Sequence, residues 1–281
     1  MDSLLNHPAV QSGIIPFIVS ILIILVLGKI KPRLTGFAAI IAFTVSVAMA
    51  MGFSPTPLTS PKKIVLLTYF VAIIGVILDM ADERVNRYRY VIHTALAVIG
   101  AIGLLWVIWP VVSREGSQHS LSIAVGLCAY VVWILLGISS AHKKPEQISI
   151  AVFALAMGTA VVSIIGATAL YGQLAAPFAA ATGAWLLFYL FVSQRGSFPA
   201  GIYLSAASCC AMLGAAATVY ASLKWPTLAI FALIPIVVHI PYKVDSATWI
   251  KLLKLSVAAS IPVLAAIWYT AQQSADSGYY G

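Results

Sequence analysis

An all-α bundle of about ten membrane-crossing helices, with both termini on the non-cytoplasmic side, is the fold class this sequence predicts. Three observations carry it. The mean hydropathy is +1.01, and 62% of the 281 residues are hydrophobic against 9% charged, whereas soluble domains carry about a quarter charged residues. The apolar residues fall in runs near the roughly 20 residues that a bilayer core requires. The cations sit in the short breaks between those runs, unevenly on alternate breaks.

The runs cover residues 10–29, 34–53, 62–80, 88–111, 119–140, 147–170, 174–193, 198–221, 226–242 and 249–271, a single integral membrane domain over residues 1–281. Lys29, Lys31, Pro32 and Arg33 break the first pair; Pro55, Pro57, Pro61, Lys62 and Lys63 break the second. Asp82 to Arg89, Arg114 to Gln118 and His142 to Glu146 follow. The least marked break is Tyr171-Gly172-Gln173, which divides an apolar stretch too long for one crossing. Pro226 suits the start of the ninth run, because proline is tolerated in the first helical turn. The chain opens Met1-Asp2 without a basic segment, and no A-x-A-like site follows the first run, so that run is expected to stay as a helix rather than be cleaved as a signal peptide.

With ten crossings, the odd-numbered connections hold Lys29, Lys31, Arg33, Arg84, Arg87, Arg89, Lys143, Lys144, Arg195, Lys243, Lys251 and Lys254, twelve of the sixteen Lys and Arg. Lys62, Lys63, Arg114 and Lys224 fall on the other face. The positive-inside rule then puts the odd connections in the cytoplasm. No Asn-x-Ser/Thr sequon starts at Asn6 or Asn86, which fits a bacterial inner membrane. The net charge of +8 suits a lipid surface rather than nucleic acid, since no basic face with interleaved aromatics holds a strand.

Small residues recur every fourth position in the second run (Ala38, Ala42, Ser46, Ala50) and in the eighth (Ala206, Cys210, Gly214, Thr218). Lipid gives apolar helices no hydrophobic reason to associate, so such faces predict close packing. Cys128, Cys209 and Cys210 lie inside apolar runs, without zinc spacing or a disulfide framework.

Ionisable groups in hydrocarbon are costly, and they are candidates for function. No Asp, Glu, Lys or Arg occupies a run's centre. Asp79, His93 and His239 lie near the inner boundary at similar depth, and on adjacent helices they would make one polar cluster. Two imidazoles, His93 and His239, would also suffice as axial ligands of a haem; otherwise no cofactor or metal is expected. Pro235 and Pro241 bracket His239, and Pro262 interrupts the tenth run near Ser256 and Ser260. Interrupted helices free carbonyls and mark transport sites. Asp79, His93, Pro235, His239, Tyr242, Ser256, Ser260 and Pro262 are therefore the candidate binding residues.

HExxH, GxSxG and Gly-rich phosphate-loop patterns are missing, so no enzymatic activity is expected. The expectation is a small-solute permease for a neutral or weakly polar substrate, because ten crossings exceed what an anchor needs. The alternative is a non-catalytic subunit that meets other membrane proteins. Lipid is the partner in either case.

Overall fold

The computed structural model describes residues 7–52, 56–81, 87–115, 118–192, 197–221, 223–241 and 247–278. Among them the chain is all helical, with no strand, and nine helices are long and apolar enough to cross a membrane. They are α1 (Ile15–Ile30, entered through a π-helical turn), α2 (Phe37–Met51), α3 (Ser60–Met80), α4 (Arg89–Glu115), α5 (Gln118–Ser139), α6 (Pro145–Gly166), α7 (Ala169–Phe191), α8 (Ala200–Tyr220) and α11 (Thr248–Gly278).

The ninth expected crossing is not one helix but two short ones, α9 (Trp225–Phe231) and α10 (Ile234–Val237). Pro235 has no N–H to continue the ladder. The chain tightens instead into i→i+3 turns, with Ile236 N donating to Leu233 O and His239 N to Ile236 O, both at 3.0 Å. The segment from Leu223 to Ile240, these two pieces with their flanking residues, still runs the length of α6. Leu223 lies by Gly166, Phe231 by Gly158, and Ile240 by Gln147. Those positions of α6 span roughly 28 Å at about 1.5 Å per residue.

The expected break at Tyr171-Gly172-Gln173 is a correction. The chain turns earlier, at Ala167 and Thr168, and the Thr168 hydroxyl accepts from Tyr171 N at 3.4 Å to start α7. Gly172 lies inside α7, where a Cβ would come within 2.8 Å of the Ala160 carbonyl oxygen. It serves close approach of α6 and α7 rather than a turn.

The architecture is a helix inside a ring. α8 occupies the centre, touching α2, α3, α4, α5, α6 and α7, and each of these six also touches its two neighbours in the ring. Every residue from Phe198 to Ala217 is buried. The sequence of α8 explains its place: Gly201, Ala206, Ala207, Cys209, Cys210, Ala211 and Gly214 present almost no bulk, so six helices pack around one. α2 buries Ala38, Ala42 and Ser46, and the Ser46 hydroxyl donates to Gln173 O in α7 at 3.2 Å.

α1 and α11 lie outside the ring, α1 on α2 and α7, α11 on α6 and α9. Along α1, Ile14, Ile18, Leu22, Val26 and Ile30 are exposed while Pro16, Ser20 and Ile24 are buried. Such a continuous apolar stripe suits hydrocarbon contact, not water.

Contacts sort the helix ends into two groups. One end gathers Gly36, Asp79, Arg89, His93, His142, Tyr189 and Ala200. The other joins Lys63 to Trp106, Tyr220 to Val107, and Thr227 to Thr270. Lys29, Lys31, Arg33, Arg87, Arg89, Lys143 and Lys144 belong to the first, here called the basic end.

Candidate functional site

Asp79 sits one residue from the end of α3 and serves α8. Pro199 at the start of α8 offers no capping side chain, which leaves the first N–H groups of that helix without acceptors. The Asp79 carboxylate supplies them across the helix boundary: Ala200 N donates to Oδ1 at 2.7 Å and Gly201 N to Oδ2 at 2.9 Å. A carboxylate at a helix N-terminus also complements its dipole. Three glycines permit the approach. A Cβ on Gly75 would lie 2.7 Å from Ala200 O, one on Gly201 would lie 3.1 Å from Gly36 Cα, and one on Gly36 would lie 2.8 Å from Asp79 Oδ2.

His93 is one turn into α4 and buried. Its Nε2 pairs with the Tyr203 hydroxyl of α8 at 3.0 Å, and its ring meets that of His142 edge to face at 5.7 Å. Arg89, on the same face of α4, acts electrostatically on Asp79, His93, Tyr203 and His142. His142 lies in the connection between α5 and α6. Its Nδ1 donates to Ser139 O at 3.2 Å, so the tautomer leaves Nε2 as the open ring nitrogen. Burial pushes the His142 imidazole below its ordinary pKa; Arg89 and Lys143 push the same way, against the Ser139 carbonyl.

Pro235 and His239 occupy a second place, against α5. Pro235 packs on Gly137, where a Cβ would lie 2.5 Å from the proline ring. The proline break frees carbonyls, and neighbours take them: Trp133 Nε1 donates to Ala232 O at 2.8 Å and Gln147 Nε2 to Ile240 O at 2.7 Å. His239 Nε2 lies 3.3 Å from Ser140 Oγ, whose hydroxyl donates to Gly137 O at 2.6 Å. One hydroxyl carries one proton, so His239 is the donor to Ser140 in this arrangement. Beside them runs a groove of about 460 Å³, walled by Trp133, Leu136 and Ile236 and ending at Tyr90, Ser140 and His239.

The expected residues of α11 join neither place. Ser256 is exposed, Ser260 donates to Val257 O of its own helix at 2.8 Å, and Pro262 is buried. Tyr242 lies outside the described residues. Asp79 and His93 thus meet around the start of α8, Pro235 and His239 meet beside α5, and the two places flank the same α4–α5 ends. Each imidazole named for a haem has its Nε2 engaged by a protein hydroxyl. Among the described residues, no three His, Cys, Asp or Glu side chains are grouped to hold a metal ion.

Arg89, Tyr203, His142, Trp133 and Gln147 escaped the sequence reading. Trp133 had a usable signal, since an indole N–H well inside an apolar run needs an acceptor. The others depend on which helices are neighbours. Comparison with protein-family models, curated proteins and solved structures finds no match, so the functional reading rests on geometry.

Proposed function

We propose that the protein is a multi-pass permease of a bacterial inner membrane for a small neutral or weakly polar solute, which engages the groove headed by His239. The groove is the observation that carries this reading. Its walls are apolar and its end is hydrogen-bonding, the composition of a site that orients a ligand by a few polar groups. It borders the one segment that crosses the height of α6 in two pieces, and proline-interrupted helices are where transport sites are built. Counting that segment gives ten crossings. With ten, the twelve cations of the odd connections face the cytoplasm and both termini lie opposite, as the positive-inside rule requires.

A second reading has its own support. α8 is buried from Ala200 to Ala217 in a close-packed ring, and an apolar cleft of about 600 Å³ opens between α1, α6 and α7. A closed bundle with an apolar flank suits a subunit of a larger membrane assembly. Purification from native membranes in a mild detergent, with mass spectrometry of co-migrating proteins, separates the two. The permease reading expects the chain alone or as copies of itself; stoichiometric partners would replace it with the subunit reading.

A further inference from the structure

A guanidinium partly withdrawn from water is unfavourable without an anion bonded to it. Arg89 is in that position. It is half-buried, its Nη2 makes a long 3.4 Å contact to Leu78 O, and its Nε is buried with no partner. No ion pair engages it among the described residues. Asp79 lies within electrostatic reach, but it accepts from the α8 amides and makes no ion pair with Arg89. Glu146, the other carboxylate described at this end, accepts from the Tyr189 hydroxyl at 3.0 Å.

Among the described residues near Arg89, Lys143 adds a second cation and His142 a neutral imidazole. His142 turns its Nδ1 to Ser139 and keeps Nε2 open. Lys143 is exposed and acts on His142, as Arg89 does. The N-terminal turn of α4, where Arg89 stands, adds the positive end of a helix dipole. Other cations of the same end extend the field over the bundle surface.

We propose that Arg89 and Lys143 form a binding site for a phosphate group at the basic end of the bundle. Arginine matches phosphate oxygens with paired N–H donors, and lysine adds charge without fixed geometry. Basic clusters between helices at the cytoplasmic interface take up phosphorylated head groups by the same chemistry. The phosphate arrives either on an anionic phospholipid of that leaflet or on a water-borne molecule. The site is separate from the His239 groove and stands whether or not the protein transports anything.

The test uses the full chain purified in a non-ionic detergent. Native mass spectrometry with phosphatidylglycerol and phosphatidylcholine reads the lipid source; thermal unfolding in sodium phosphate against sodium chloride of equal ionic strength reads the water-borne one. Selective, saturable phosphatidylglycerol adducts that weaken about tenfold in R89Q and less in K143Q support the site with lipid as its source. A rise in Tm with phosphate that R89Q abolishes supports it with a soluble source. Should R89Q fail to purify, K143Q carries the test at an exposed side chain. Binding of neither probe, or binding that the substitutions leave unchanged, overturns the proposal.

Discussion

Replacing Gly75 by alanine should loosen the centre of the bundle. The added Cβ would stand 2.7 Å from both Ala200 O and Gly201 Cα. Ordinary contact begins at 3.4 Å, so α3 and α8 must separate by about 0.7 Å, and the obstructing atoms are backbone that cannot rotate away. Asp79 rides on α3. The same displacement would stretch its bonds of 2.7 and 2.9 Å to about 3.4 and 3.6 Å, the limit of hydrogen bonding or past it. Overpacking costs about 1–3 kcal/mol, and loss of the cap about 1–2 kcal/mol. The helix preference for alanine returns about 1 kcal/mol. The net expectation is a destabilisation of roughly 1–4 kcal/mol. Unfolding of the purified protein by denaturant, followed by tryptophan fluorescence, measures it. Gly13→Ala is the control, because nothing lies within 4 Å of its Cβ. If Gly75→Ala unfolds with the wild type while Gly13→Ala does too, the glycine junction and the Asp79 cap do not hold α8 as described.

The braces of the broken helix should be individually measurable. Trp133→Phe removes the donor to Ala232 O and should destabilise by about 1–3 kcal/mol in the same unfolding assay, with Gln147→Leu acting similarly through Ile240 O. His142 should give the protein an acid limb. Its folded pKa lies below the ordinary value, so the unfolded chain takes the proton first, and stability falls as pH drops from about 6.5 toward the lowered folded value. His142→Asn should flatten that limb in a pH series of unfolding midpoints; an unchanged limb would assign it to other groups.

How much of this was legible depended on how local the cause was. Hydropathy and charge are properties of single residues read in windows, so the crossing helices and the uneven distribution of cations could be seen without a structure. The segments of Pro235 and Pro262 also stood out, yet only one breaks: Pro235 splits its segment, while Pro262 sits within a continuous α11. Gly172 was misread because glycine serves both turns and close approaches, and only the presence of Ala160 O decides between them. The candidate site was half legible. Asp79 and His93 stood out as ionisable groups in apolar runs, but their partners Ala200 and Tyr203 lie 121 and 110 residues away. Which helices adjoin is set by side-chain packing summed around the ring, which the order of crossings does not encode. The same reason left Arg89 and His142 looking like solvated connections.

The measurement that bears most directly on the proposed function is solute flux in proteoliposomes. Vesicles containing the wild type, His239→Ala or Ala129→Phe would be mixed with uncharged probes (glycerol, urea and nicotinamide) and followed by stopped-flow light scattering. Ala129 is an exposed wall residue of the groove, so phenylalanine there fills the groove without entering the core. A permease working through this groove should make the vesicles permeable to at least one probe, and both substitutions should reduce that permeability severalfold. Wild-type vesicles no more permeable than protein-free ones, or flux indifferent to both substitutions, would contradict the assignment.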